Sequence, residues 1–522
     1  ITNTLNYVKT IDGKHNLDIL AGYERNRSTF DRIDAFTINP LTDNVENLNP
    51  NEVENLTSFE SENNLQSVFG RVAYDFDKTY FLSATIRADG SSRFAPGEQW
   101  GYFPSVSGGI NLANLPFLKD NNTVSSLKLR GSWGITGNNN IGNYLFQTGL
   151  LTDFNYVIDG ALVSGTRPAR IPNELLQWEE LTSLNIGADV GFFDNALTLT
   201  AEYFVNESDG LLVSVPLPSS LGATDANQTR NVGGTELTGM ELTVGYKDFV
   251  GDFTWGVNFN MFANLNQEVT SLGSVDAIFS GNYFQQNHNR LVVGEAPFHF
   301  FGFRTDGIFQ NDAEVAAHAT QNNAEPGNIR FVDINGDGEI NADDRTIIGN
   351  PNPGIELGAD FNFQYKNIDF SVFLNGIYDR DVYNGFRLQT EQQARLFNMS
   401  TVILDRWSPT NPSNTIPKAT PGFTGNEQVS DRFIEDGSFT RVRSLTLGYT
   451  LPSRVLENFA NGSLSKLRVY MSGQNLMTFT NYSGYDPEIV PILQNGTPNA
   501  IGFDQGRFPQ PRTVLAGIQV QF

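Results

Sequence analysis

Cysteine is absent from the chain, which excludes disulfides, thiolate metal sites and cysteine nucleophiles. No run of about 18 apolar residues occurs, so no transmembrane helix is expected, and no charged-then-apolar leader opens the sequence. Basic residues are scarce. Lys and Arg total 34 against 58 Asp and Glu, a net charge of -24, and this excess of acid argues against nucleic acid as a partner. Histidine is rarer still: His15, His288, His299 and His318 are scattered, with no H-E-x-x-H spacing among them. Neither G-x-S-x-G nor G-x-x-x-x-G-K-[ST] is present. Neighbouring acids such as Asp343 and Asp344 are expected by chance in so acidic a chain, and no enzymatic activity is expected.

What is abundant is glycine and aromatic residues. Gly 49, Phe 40 and Tyr 17 in 522 residues, with 18% charged, describe many glycine-punctuated strands rather than helices. The strands have period two. In "SLKLRGSW", Leu127, Leu129 and Trp133 share a face with Gly131, and Lys128, Arg130 and Ser132 share the other. In "ADFNFQYK", Phe361, Phe363 and Tyr365 oppose Asp360, Asn362, Gln364 and Lys366. Val514, Ala516, Ile518, Val520 and Phe522 close the chain in the same way. Such alternation suits a soluble sandwich or a transmembrane barrel, whose lipid face returns only every second residue.

Connection lengths separate the two. Strands are expected at about 1-9, 14-28, 64-76, 79-92, 103-112, 125-137, 181-192, 196-209, 237-247, 252-264, 357-366, 369-382, 439-450, 466-479 and 511-522. Tight turns at Asp12-Gly13, Asp77-Lys78, Asp194-Asn195, Asp248 to Gly251 and Asn367-Ile368 alternate with links of about fifteen to ninety residues. Outer-membrane barrels alternate in this manner, with short periplasmic turns and long extracellular loops. The reading is therefore all-β: an antiparallel transmembrane barrel in the bacterial outer membrane, surrounded by lipid. Residues 113-124 and 451-465 form the longest periplasmic links. The alternating segment Phe298 to Gln310 is assigned to one large extracellular excursion over 265-356, because counting it as a strand reverses the sidedness of the Asn367-Ile368 turn. Tyr74 with Phe76, Tyr80 with Phe81, and Tyr203 with Phe204 are expected in interfacial girdles. About fifteen strands is an odd number, and bacterial single-chain barrels are even, so the chain reads as a C-terminal part of a longer protein.

Five blocks resemble a known family: "RADGSSRFAPGEQWGYFPSVSGG" (Arg87 to Gly109), "GITGNNNIGNY" (Gly134 to Tyr144), "FVDINGDGEINADDRTIIGNPNPG" (Phe331 to Gly354), "DGSFTRVRSLTLGYTLP" (Asp436 to Pro452) and "VYMSGQNLMTFTNYSGYDPE" (Val469 to Glu488). In this order they resemble the SusC/RagA-type TonB-dependent outer-membrane transporters of Bacteroidetes. The resemblance implies a barrel of about 22 strands around a plug. It implies a SusD-like lipoprotein as partner, energy from TonB-ExbB-ExbD, and uptake of an oligosaccharide or peptide substrate. No plug or TonB box is found in these residues, and contact with TonB is expected through the missing N-terminal part.

One motif carries its own chemistry. In "DINGDGEINADD", Asp333, Asn335 and Asp337 fall at positions 1, 3 and 5 of an EF-hand-type loop, Glu339 offers its carbonyl at 7, and Asp344 stands at 12. Asp at position 12 departs from the EF-hand and resembles the dockerin form. The expectation is a structural Ca²⁺; the alternative is a turn held by Asx hydrogen bonds. Lys128, Arg130, Arg441 and Arg443 are expected to line the lumen or face the plug. Tyr283 and Phe284 are candidates for stacking on sugar rings, with glycan and peptide left open as cargo. The competing functional readings are a non-transporting surface scaffold and a secreted calcium-loop adhesion module.

Overall fold

A computed structural model describes residues 1–37, 53–119, 121–221, 227–273, 275–283, 286–391, 398–420, 422–460, 463–494 and 497–522. Fifteen strands form one antiparallel sheet in chain order. They are β1 (Thr2–Ile11), β2 (His15–Thr37), β3 (Val53–Phe76), β4 (Tyr80–Ser91), β5 (Trp100–Asn111), β6 (Val124–Asn138), β7 (Glu179–Phe192), β8 (Leu197–Asp209), β9 (Gly234–Val250), β10 (Phe253–Ser271), β11 (Ile355–Tyr365), β12 (Ile368–Tyr378), β13 (Phe439–Thr450), β14 (Lys466–Thr480) and β15 (Thr513–Gln521). Among the described residues β1 pairs with β2 alone and β15 with β14 alone, so the sheet is open between them.

The turns on one rim are short because their residues accept left-handed backbone. Asp12 and Gly13 lie at φ 50° and 68°, Asp77 and Lys78 both at 51°, and Asp194 and Asn195 at 55° and 61°. Two expected turns move. Asp248 remains in β9 opposite Trp255, and the reversal follows at Gly251, φ 60°. Ile368 pairs with Tyr365, which leaves Lys366, φ 51°, and Asn367 as the turn. The longer connections of this rim hold a 3-10 turn at Leu112–Asn114 and a helix at Ser453–Ala460. The connections of the opposite rim, the extracellular one, range from the link over residues 92 to 99 to that over 272 to 354. The segment Phe298 to Gln310 lies in the longest, as short strands His299–Gly302 and Thr305–Ile308 outside the barrel sheet.

One face of the sheet is an exposed apolar surface. Leu129, Trp133, Leu184, Ile186, Tyr203 and Met240 are all exposed. Register makes neighbours of Trp133 and Leu184, of Ile186 and Tyr203, and of Tyr203 and Met240. Further along, Leu447 opposes Met471, and Tyr449 and Ile518 flank Val469. A patch of this extent is a lipid-facing surface. The other face is polar: Arg71 reaches Asp18 at 3.1 Å, Asn16 reaches Asp75 at 3.0 Å, and Thr243 reaches Asn260 at 3.0 Å.

Period two also corrects the girdle assignment. Tyr203 faces outward, whereas Phe204 is buried and stacks on Phe262 at 6.1 Å. Phe81 turns inward as well, with Lys128 Nζ 4.9 Å above its ring. Consecutive residues of a strand cannot both meet lipid.

Two departures from regular alternation matter. First, β2 and β3 continue past residues 28 and 64, the limits expected from the pattern, and pair as far as Thr37 and Val53. β1 reaches only Glu24 and β4 only Leu65, so the upper hairpin is a two-stranded ribbon rising beyond the sheet. Phe30, Ile33, Phe36, Leu56 and Phe59 are exposed on it. Above the membrane no pair of contrasting solvents enforces the alternation, and the pattern lapses there. Second, β13 carries one extra residue against β12, between Val442 and Ser444. The extra residue lets Arg441 point inward while Leu447 and Tyr449, at the same parity, point outward.

Candidate functional site

The inner wall and the loops above it are the parts that a solute crossing such a barrel meets. On the wall, a cavity of about 540 Å³ is lined by Asn16, Asp18, Asp75, Lys128 and Arg130 among others. Arg130 donates to Asp189 at 3.1 Å and pairs with Glu202. Lys128 and Arg130 therefore line the lumen, as their alternation with Leu129 requires.

Arg441 and Arg443 do something different. Arg441 is 1% exposed and donates to Thr478 Oγ1 (2.9 Å), Glu488 Oε2 (2.8 Å) and Asp486 Oδ1 (2.5 Å). Arg443, at the bulge, donates to Glu488 Oε1 at 2.9 Å and Oε2 at 3.1 Å. Asp486 Oδ2 accepts from the Gln510 backbone at 3.1 Å, and Arg380 donates to the Pro487 carbonyl. These arginines hold the chain's own last extracellular connection against the wall. Sequence reading placed them on the correct face but missed their partners, which follow in the "DPE" of another block.

The loops pack into a common cap. Phe300, Tyr383, Leu388, Val429, Phe433, Ala500 and Phe503 form a buried apolar cluster. Four short strands, Ala277–Tyr283, Gln286–Val292, His299–Gly302 and Thr346–Gly349, make a sheet beside it. Around the cluster Arg387 pairs with Glu391 and Glu435, each at 2.8 Å, and Arg432 pairs with Glu391 at 2.8 Å. Burial pushes the Arg432 guanidinium down to about 10, with Glu391 opposing the fall. Burial works to raise the Glu435 carboxyl, but hydrogen bonds from Arg387 and Ser483 outweigh it and hold it below the usual range.

His288 and His299 lie on paired strands of the cap sheet, whereas His15 and His318 lie elsewhere in the fold. His15 Nδ1 lies 2.7 Å from Tyr74 Oη, and His318 packs against Phe309. His299 Nδ1 is 2.9 Å from the Ala296 carbonyl. His288 is buried, stacks on Phe503 at 3.9 Å, and is pushed by burial down to about 3. Tyr283 packs edge-on against Phe503 and donates to Gln389 Oε1 at 3.0 Å, so its ring belongs to the cap core rather than to an open sugar platform. Phe284 lies outside the described residues.

The loop from Asp333 to Asp344 closes on itself. Asp333 accepts from the N–H groups of Gly336 (2.7 Å) and Gly338 (2.9 Å). Asn335 Oδ1 accepts from Asp337 N at 2.9 Å, and Asp337 Oδ1 accepts from Glu339 N at 2.8 Å. Asp344, fully buried, accepts from Ile334 N and Asn341 N. Burial works to raise its carboxyl, and these backbone donors outweigh that and lower it. Among the described residues no three His, Cys, Asp or Glu side chains gather as a metal-holding group.

Comparison with known proteins agrees with this architecture. The family described as "TonB dependent receptor-like, beta-barrel" matches residues 2–476. TonB-dependent receptor P3 of Formosa agariphila is 33% identical over 533 residues, covering 100% of this chain and 52% of the relative. TonB-dependent receptor SusC of Bacteroides thetaiotaomicron is 31% identical over 532 residues, covering 99% of this chain and 49% of the relative. The chain thus spans about half the length of these relatives. The structure of the RagAB peptide transporter superposes with a TM-score of 0.83 at 26% identity, covering 100% of this chain and 55% of that one. The chain belongs to the TonB dependent receptor-like β-barrel family, outer-membrane transporters and receptors of Gram-negative bacteria rather than enzymes.

Proposed function

We propose that this chain is the C-terminal barrel portion of a SusC-like importer, energised through TonB, that takes up oligomeric nutrients with a SusD-like lipoprotein. The single observation that carries the reading is the pairing of a lipid-facing sheet with a packed extracellular cap. A simple pore needs no cap with buried ion pairs such as Arg432 with Glu391. The relative named SusC supports kinship with a TonB-dependent receptor, and the name of RagAB gives a peptide as the cargo of that protein. The test is deletion of the gene with measurement of oligosaccharide and peptide uptake, together with a search for an adjacent SusD-like lipoprotein gene. Unchanged uptake of every oligomer tried, with no such neighbour, favours the scaffold reading instead.

A second proposal concerns Ca²⁺ at Asp333, Asn335, Asp337, Glu339 and Asp344. What favours it is spacing: ligand types at positions 1, 3, 5, 7 and 12, with Gly336 and Gly338 at φ 74° and 86° making the reversal. The carboxylates already accept backbone N–H groups, and among the described residues no three of them gather. The expected affinity is in the weak range of extracellular modules, about 10⁻⁴ to 10⁻³ M.

A further inference from the structure

Within the short four-stranded sheet of the cap, two guanidiniums share one aromatic ring. Arg290 Cζ lies 3.7 Å from the centroid of Phe301, and Arg345 Cζ lies 5.0 Å from it. Arg290 donates from Nε to His299 Nε2 at 3.2 Å. Arg345 donates from Nη2 to the carbonyls of Asn287 (3.1 Å) and Phe301 (2.8 Å), which fixes its position. The register sets Phe279 directly opposite Arg290, and the Phe279 ring, 42% exposed, stands 6.0 Å from Phe301.

Both guanidiniums are half-buried, and neither forms an ion pair among the described residues. The acid whose charge bears on Arg290 is Glu295, an exposed residue without a salt bridge to it. Arg93, Arg304 and Arg380 also lack an ion pair among the described residues, so what sets Arg290 and Arg345 apart is that they share one ring. Arg387, Arg432, Arg441 and Arg443, in the same loops and adjoining wall, each hold a carboxylate. Two cations fixed over one ring without a counter-anion are costly unless an anion arrives from outside.

We propose that Arg290, Arg345, Phe301 and Phe279 form a subsite for an acidic sugar residue, bearing a carboxylate or a sulfate ester, on an oligosaccharide presented at the extracellular side. Guanidinium forks match such oxyanions through paired N–H donors. Contact with Phe301 helps to hold both guanidiniums in place. The open ring of Phe279 supplies an apolar surface for the flat face of a pyranose, which a peptide carboxylate on a flexible side chain does not need. The net charge of -24 repels polyanions at long range, so selection here is by contact. The proposal rests on the importer reading for the source of its ligand and names the substrate class for it.

The test is calorimetric titration of the intact detergent-purified protein with an oligogalacturonate trimer, a sulfated trisaccharide, a neutral glucan trimer and an acidic tripeptide. At least one of the two acidic sugars is expected to bind, and the arms show which oxyanion is preferred. Arg290→Gln should weaken that binding at least tenfold, and Phe279→Ala should weaken it too. The neutral glucan should be indifferent to Arg290→Gln. Arg345→Gln loses two carbonyl contacts and is secondary, read only if heat-modifiable migration shows an intact barrel. Failure of both acidic sugars to bind, or binding unchanged in Arg290→Gln, overturns the subsite. Equal affinity for the tripeptide, lost equally in both variants, makes it a peptide-carboxylate site and overturns the sugar assignment. Binding in detergent is independent of import. Loss of the importer reading appears as unchanged cellular uptake on deletion, whereas loss of the subsite appears as unchanged titration.

Discussion

Arg441 of the barrel wall holds Asp486 of the last extracellular connection at 2.5 Å, across 45 residues of chain. The same guanidinium reaches Glu488 at 2.8 Å and is itself almost wholly buried. Removing one partner of a buried pair costs more than the pair contributes, because the remaining charge loses its compensation. Arg441→Met should therefore destabilise the docked connection by about 3 to 5 kcal/mol. Limited proteolysis between Tyr482 and Gln510 is expected to accelerate in that variant, while the barrel still migrates as a heat-modifiable band. The triple variant with Asp486→Asn and Glu488→Gln should recover part of the loss. No recovery means that the arginine acts through packing instead.

The two faces of the sheet make a second prediction. Leu129 is 43% exposed on the outer face, next to Lys128 on the inner. Arginine at Leu129 should cost about 2 to 4 kcal/mol near the bilayer midplane, and at Phe363, two residues from the short-turn end of β11, only about 0 to 1 kcal/mol. Lys128→Glu and Asn362→Arg should be much milder than the change at Leu129, since water and polar neighbours meet them. Reversible unfolding in lipid vesicles measures this, and equal losses at Leu129 and Lys128 contradict the assignment.

His288 sets a pH dependence. Its ordinary value near 6.5 falls to about 3 by burial against Phe503 and Tyr383. The unfolded cap takes up a proton that the folded cap refuses. The stabilisation is whole above about pH 6.5 and is lost as pH falls toward 3, by at most about 1.4 kcal/mol per unit. Glu435 sits below its usual range, and Arg432 near 10 stays charged, so neither titrates between pH 7.5 and 5.5. Hydrogen exchange over 286–292, 381–384 and 499–504, corrected for intrinsic pH effects, should quicken at pH 5.5. His288→Phe should reduce that difference, and the remainder should fall in the double variant with His299→Phe, since burial lowers His299 as well; no reduction in His288→Phe means that His288 is not responsible.

For the 333–344 loop, millimolar Ca²⁺ should protect Ile329 to Ile348 from protease, and Asp337→Ala should remove the protection. Asp337 is the informative position because its carboxylate bonds only within the loop, to Glu339 N and Asn335 Nδ2. Indifference of both proteins to calcium and chelator leaves the Asx turn as the full account.

What the sequence determined is the two-solvent code of the wall. Leu129 against Lys128, the left-handed turn at Asp12 and Gly13, and the alternation of short and long links are local, so fifteen strands and their faces were legible without coordinates. The code fails where its cause is missing. Above the membrane the β2–β3 ribbon runs on to Thr37 and Val53 without the contrast of lipid and water. At Val442 to Ser444 one inserted residue changes which parity faces lipid, and only pairing with β12 reveals it. Tertiary structure decided the rest: that Arg441 meets Asp486, that Tyr283 belongs to the core, and that Arg290 and Arg345 share Phe301. These contacts join segments with no common period, brought together by cap packing, and no local spacing encodes them.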